Sequence, residues 1–398
     1  MKISIHHSVF FIVLILSAII GMIPATCTAA SSDLLISQEG SMMDWTDAHI
    51  DNNIIATYVS SSAPPEIKVY TADAKPYATV SLPDGTLKAL EIADGQLYYA
   101  NAEGVFEYTI VTGKTRLIDS TTEPITKIVA DGDHVVMRGG VDDRKLILHT
   151  LSTGSNQVIF TSPDWIHGLA IDGDRIMWGC ERVDGEPGRE IHVYTISTGT
   201  DYIIPESKSV RTFGYGDISG NNVVWSMGAK EPDYINGVPV TLESYDIRLT
   251  DLTSGKTRSV ETSQTAPMVV PFISGNTVVW VKKPRVDYNN TDIGTIRAYD
   301  IGTGTFSDHA SEIDGISDFD KGQVIWSKFK PASFWLTTVP GGNPSVASPT
   351  ATRAETGTPV SPQQNPTPAE SPVDAVLIGL VAGLSVMVYV ILKKARAR

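Results

Sequence analysis

The chain has 398 residues, 42% of them hydrophobic, a formal charge of −14 and only two cysteines. That is ample for a sizeable core, while the acidic balance disfavours nucleic acid and anionic lipid as partners. The cysteine count excludes a disulfide framework.

Lys2 precedes an apolar run at residues 9–23 and a small-residue stretch at 24–30. This is the pattern of a secretory signal peptide, residues 1–30, cleaved near Ala29 or Ala30. If Cys27 leaves with the signal, Cys180 is the remaining thiol. Residues 33–37 then read as a short strand with no partner of its own.

From here a block recurs. The segment starting at Ile171 (IDGDRIMW) returns at Ile218 (ISGNNVVW), Ile273 (ISGNTVVW) and Phe319 (FDKGQVIW), with weaker copies at Ile50, Ile92 and Ala130. The equivalent end positions are Ala56, Tyr99, Met137, Trp178, Trp225, Trp280 and Trp326, separated by 38 to 55 residues. One four-stranded propeller blade occupies roughly 40 to 50 residues, so seven blades are expected. Each unit reads as an inner strand, a tight turn rich in Gly, Asn and Asp, a second strand ending in Trp, a third strand of alternating character, a Thr-Gly turn and a short polar outer strand. The expected fold class is all-β, a seven-bladed β-propeller over residues 31–340. The seventh unit shows an inner strand at residues 323–328 and another at 333–339, but no fourth. Residues 33–37 are expected to supply it and close the ring.

Residues 341–374 are rich in Pro, Thr, Ser and Ala, the composition of an extended stalk. Residues 375–392 form an uncharged run long enough to span a bilayer, and residues 393–398 carry four basic groups expected on the cytoplasmic side. Between the two apolar ends, with Asp374 set aside, lie 26 basic and 44 acidic groups, a net charge near −18. Asn289 begins the one N-glycosylation sequon uninterrupted by proline, in an expected loop.

The Gly-Asn-x-Val-Val-Trp strand, followed by Ile-Arg-x-Tyr-Asp-Ile-x-Thr-Gly in residues 296–304, closely resembles the TolB-like β-propeller repeat. It looks most like the version in cell-surface proteins of methanogenic archaea, which join such propellers to a Pro/Thr-rich stalk and a C-terminal helix. The resemblance covers roughly residues 38–340. It implies a surface protein held by its C-terminal helix. At the place of the sorting tripeptide of some archaeal relatives stand Glu370, Ser371, Pro372, Val373 and Asp374, which favours simple membrane retention.

Enzyme motifs are poorly served. Gly113-Lys114-Thr115 and Gly255-Lys256-Thr257 echo a phosphate loop but fall in the repeat's hairpin turns. Asp131-Gly132-Asp133 and Asp172-Gly173-Asp174 offer carboxylates to calcium, yet they occupy the turn that is Ser-Gly-Asn elsewhere. The in-phase tryptophans are expected to pack between blades rather than stack on sugars. Residues the repeat does not require are the better site candidates: Trp45, Asp47, His49, Trp165, His167, Arg211, Phe213 and Tyr215 on inner-strand segments. Three long second-to-third strand loops at residues 180–190, 226–244 and 282–294 bring Tyr234, Arg285 and Tyr288 to one face. The expected function is a non-enzymatic, membrane-anchored module binding an envelope protein or glycan, monomeric and without a cofactor. A lyase-like carbohydrate enzyme using His49, His167 and acidic neighbours in the channel is the alternative, and a purely structural envelope protein is a third.

Overall fold

A computed structural model describes residues 33–38, 48–59, 65–82, 87–120, 123–182, 189–209, 215–235, 238–263, 268–283, 293–329 and 332–340. The expected signal, stalk, membrane helix and basic tail lie outside the described residues, as do Trp45, Asp47, Arg211, Phe213, Arg285, Tyr288 and Asn289. Among the described residues, 28 strands form seven four-stranded antiparallel sheets. Two short 3-10 turns, Val141–Asp143 and Pro205–Ser209, are the helical elements. No helix among the described residues is long and apolar enough to cross a membrane.

Six sheets follow chain order from the inside out. Blade 4, for example, runs His167–Asp172, Arg175–Glu181, Arg189–Thr195 and Thr200–Ile203. The seventh is sewn from both ends of the chain: Gly315–Asp320 innermost, then Gln323–Phe329, Ala332–Thr338 and, outermost, Leu34–Gln38. The expected closure is therefore present. The strand read as innermost at 323–328 is in fact second. Its own inner strand, beginning at Gly315, carries the polar residues Ser317 and Asp318 in succession, and this hides it from a hydrophobic pattern. Closure is also pinned by side chains, because the Trp326 indole donates to Thr337 Oγ1 at 2.7 Å and Thr337 donates to Asp33 Oδ1 at 2.6 Å.

Blades cannot bury their faces alone, so the core is divided among the seams between them. Trp178 packs with Val136, Leu146 and Leu148 of blade 3; Trp225 with Met177 and Val193 of blade 4; Trp280 with Val224 and Leu249 of blade 5; Trp326 with Val279 and Ile296 of blade 6. All four tryptophans are at most 2% exposed, so none of the four offers a stacking platform for sugars, and they are the seam residues. Register places Thr57, not Ala56, at the equivalent position of blade 1. Gly216 faces Trp225 across the first hairpin of blade 5 as Ala48 faces Thr57 in blade 1.

A second seam runs along the channel, where each inner strand exposes one unpaired ladder edge. Side chains from the preceding blade satisfy part of it. Asp94 accepts from Gly132 N at 2.9 Å, Asp131 from Gly173 N, Asp172 from Gly220 N, Ser219 from Gly275 N at 3.1 Å, Ser274 from Lys321 N at 2.9 Å, and Asp320 from Asn52 N at 2.9 Å. The Asp94 amide serves Asp51 and completes the circle. In six blades the acceptor is the last residue of the inner strand. Blade 2 has Ala93 there and uses the next residue, Asp94. This explains the Asp-Gly-Asp turns: Asp131 and Asp172 clasp the next blade, while Asp133 and Asp174 accept from the amides and hydroxyls of Ser152 and Ser197.

The blade-to-blade links and the second-to-third strand links leave from one side of the ring, here termed the connection face; the first hairpin turns lie on the opposite, turn face. On the connection face, residues 226–244 are not a loop. The second and third strands of blade 5, Asn222–Ile235 and Val238–Asp251, stay paired to Ile235↔Val238, so Tyr234 sits near the tip of a long hairpin, paired with Pro239. Gly113 and Gly255 end hairpin turns, with φ of 68° and 66°, and the Lys-Thr pairs that follow open the outer strands of their blades.

Candidate functional site

The channel encloses a cavity of about 670 Å³. Eight carboxylates line it, Glu91 and seven aspartates, against two lysines, Lys127 and Lys321, and His49. Strand geometry accounts for the arrangement. Side chains two positions before the last inner-strand residue point the same way as that residue, toward the next blade. In blades 5 and 7 this position holds Asp217 and Asp318, whose Oδ2 atoms accept from Ile273 N and Ile50 N of the following blades, both at 2.9 Å. In blades 1 and 2 it holds His49 and Glu91. The same register position in blades 7, 1 and 2 thus brings Asp318, His49 and Glu91 together. His49 Nδ1 lies 3.5 Å from Asp318 Oδ2 and 3.6 Å from Glu91 Oε1.

Crowding of carboxylates in a partly dry space raises their proton affinity. Burial pushes Asp217 up to about 7, and burial followed by the charge of Asp320 takes Asp51 to about 6. Burial also raises Glu91, against the opposing charges of His49 and Lys127. Burial alone would raise Asp318, but the His49 interaction and two backbone amides outweigh it and hold that carboxyl low.

A folded-state pKa above the unfolded value means that the native state binds the extra proton. Asp217 therefore contributes stability at acid pH that is lost as pH rises from about 4 through about 7, at roughly 1.4 kcal/mol for each pH unit between those two values. His167 acts in the opposite sense below 6.5, because its folded pKa is depressed to about 4. The difference between wild type and Asp217→Asn isolates the aspartate. Chemical denaturation from pH 4 to 8 should show the variant gaining on wild type as pH rises, and parallel curves would contradict the shift.

A second cluster lies at the other end of the inner strands, on the connection face. Trp165, 38% exposed, meets His167 edge-on at 4.3 Å between ring centroids, and His167 meets Tyr215 at 6.0 Å. Arg138 of blade 3 lies over the Trp165 ring at 5.8 Å and donates to Ile166 O at 3.1 Å. Asp143 fixes the indole, accepting from Trp165 Nε1 at 3.0 Å. Burial, then the charges of Arg189 and Arg138, keeps His167 neutral, with its Nδ1 buried and without a hydrogen-bond partner among the described residues.

The structure brings together Trp165, His167 and Tyr215 at the connection end, where they do not line the channel cavity, and adds Arg138 and Asp143. It does not bring His49 to His167, because the first lies near the turn end of its strand and the second at the connection end. Arg138 is hard to single out because it follows a weak repeat copy. Glu91, Asp217 and Asp318 are equally inconspicuous, because their signal is a polar residue two places before the strand end, legible only once copies are aligned on the turn.

A third group, Cys180, Glu190 and His192, is close enough to share an ion but is committed elsewhere. His192 is held between Glu190 at 3.1 Å and Asp201 at 2.8 Å, and stacks flat on Trp178. Burial pushes the Cys180 thiol up to about 12, far from the thiolate a metal requires.

No protein-family model matches the chain, and no curated protein matches it in sequence. Solved structures do match in shape. The tricorn protease aligns with TM-score 0.56 and 13% identity over 77% of this chain and 34% of its own, so the present chain spans about a third of that protein. Oligogalacturonate lyase from Vibrio parahaemolyticus aligns with TM-score 0.54 and 11% identity over 77% of this chain and 92% of its own. An oligogalacturonate lyase in complex with manganese gives 0.52 and 12% over 76% and 90%. The chain is a β-propeller. At these identities the likeness is one of fold, and propellers host unrelated chemistries.

Proposed function

We propose that this chain is an exported, membrane-tethered propeller of the TolB-like archaeal surface type whose connection face binds an envelope protein or glycan without catalysis. The observation that carries this reading is the Trp165–His167–Tyr215–Arg138 cluster, in which an exposed aromatic edge, a cation and a neutral imidazole converge on a rigid rim. Aromatic and arginine groups are the side chains that most often anchor an interface. The apolar segments at residues 9–23 and 375–392 support export and tethering, and the acidity between them suits the outside of a cell. The long hairpin of blade 5, whose strands stay paired to Ile235 and Val238, leaves from the same face.

Two variants test the placement. Trp165→Ala with Arg138→Ala should weaken capture of a glycan-array hit or a cross-linked envelope partner by about tenfold or more, as hot-spot truncations do. Loss of capture only on replacing Tyr234, Arg285 and Tyr288 with serine would move the site to the hairpin; full retention in both would remove the connection face from the reading. Separately, a chain of residues 31–341 should be soluble and monomeric, and its partition into detergent would contradict a tether confined to the two ends.

The lyase-like reading is kept for one observation only. His49 converges with two carboxylates in the channel, whereas a pairing of His49 with His167 does not occur. Turnover of an acidic oligosaccharide that disappears in His49→Gln would establish it.

A further inference from the structure

In the cluster of Asp318, His49 and Glu91, a hydrogen bond from one ring nitrogen accounts for the approach of one carboxylate but not of both. Both carboxylate oxygens face one nitrogen, Nδ1 of His49, at 3.5 and 3.6 Å. A donating ring nitrogen prefers an acceptor at about 2.7–3.2 Å and carries one proton, so it serves one of two oxygens, not both at arm's length. Ligand atoms around a first-row metal behave differently. With metal–ligand bonds of about 2.1 Å, the edges of a tetrahedral ligand set are about 3.4 Å. The two N···O separations have that length, and the three ligand atoms all lie within 4.8 Å of one another.

The second shell is also in place. Asp318 Oδ2 accepts from Ile50 N at 2.9 Å, and its Oδ1 from Phe319 N at 2.8 Å. Glu91 Oε1 accepts from Ile92 N at 3.0 Å. Each oxygen that faces His49 is therefore fixed by a backbone amide of a rigid inner strand, the kind of outer support that orients metal ligands. His49 is 4% exposed, whereas the side chains of Glu91 and Asp318 are 13% and 21% exposed, toward the cavity that offers a route in. The surrounding channel is anionic, and Lys127 is the competing cation beside Glu91.

We propose that His49, Glu91 and Asp318 form a divalent transition-metal site at the junction of blades 7, 1 and 2, open to the channel for water or a ligand. One imidazole with two carboxylates suits manganese or zinc better than calcium, which takes six or more oxygens. This site is independent of the connection-face reading and lies at the other end of the inner strands.

The test uses the full chain in detergent, without a histidine tag and stripped by chelator, titrated calorimetrically with Mn²⁺ and with Zn²⁺. One ion per chain is expected, and Glu91→Gln and His49→Gln should each weaken binding by about tenfold or more. Asp172→Asn, which removes a carboxylate from another part of the channel, should leave binding within about twofold. Cobalt supplies a second readout: its visible spectrum in the wild type should carry an imidazole contribution that His49→Gln loses. Glu91→Gln keeps the shape of the side chain, so it decides the matter if the histidine variant does not fold. Absence of saturable binding below about 1 mM, a range that corresponds to roughly 4 kcal/mol of affinity, would overturn the site. So would equal binding by wild type and Glu91→Gln.

Discussion

A chain that begins at residue 39 is expected to lose cooperative folding, whereas one that begins at residue 31 keeps it. Removing Leu34–Gln38 strips the outer strand from blade 7 and exposes the edge of Ala332–Thr338. It also removes Ile36, which is 6% exposed and packs with Ile50, Ile325 and Phe334 across the seam between blades 7 and 1. One buried isoleucine stabilises by about 1.5–3 kcal/mol, and each net hydrogen bond by about 1. With the Asp33–Thr337 bond included, the loss is about 5 kcal/mol, comparable to the whole stability of many domains. The open edge should also promote association. Scanning calorimetry and size-exclusion chromatography of the two chains would show it, and addition of a peptide covering residues 31–40 should restore part of the transition. Identical melting and monomeric elution without the strand would mean that the ring closes by the blade seams alone.

The fold was legible because a propeller writes the same physical demand seven times. The tight turn after each inner strand recurs in phase, as does the tryptophan at the fourth residue of the second strand in four blades, and even the missing outer strand of blade 7 could be assigned to the N-terminus from the edge it would otherwise leave. The failures have local causes. In blade 1 the seam residue is threonine, so nothing aromatic marked the register and the alignment slipped by one to Ala56. At residues 226–244 the hairpin continues through Gly228, Pro232 and Pro239, residues that read as loop although the ladder persists.

The site was less legible, because its residues occupy positions that the repeat leaves free. His49, Glu91 and Asp318 are far apart in sequence and meet only through the closure of the ring. Each carboxylate also has a structural occupation: the aspartate caps a strand edge and the glutamate holds an adjacent amide. Sequence alone shows an acidic residue near a turn, and only the stacking of equivalent positions around the channel turns three such residues into one cluster.

Truncation of the seam tryptophans should have the second large effect. Trp225→Ala and Trp280→Ala are each expected to destabilise by about 3–5 kcal/mol, because both side chains are fully buried and the rigid blades around them collapse little. For a ring of this size that corresponds to a fall in Tm of about 6–15 °C. The two sites separate further on substitution by phenylalanine. The Trp225 indole donates to Thr250 Oγ1 at 3.0 Å, whereas the Trp280 indole has no partner among the described residues, Tyr299 standing where blade 5 has Thr250. Phenylalanine at 225 loses a hydrogen bond worth about 1 kcal/mol, while at 280 it removes an unsatisfied donor. Trp280→Phe should therefore be milder than Trp225→Phe by about 1–2 kcal/mol in denaturant unfolding. The reverse order would place an acceptor near Trp280, and unchanged melting in both alanine variants would show that the seams do not hold the ring together.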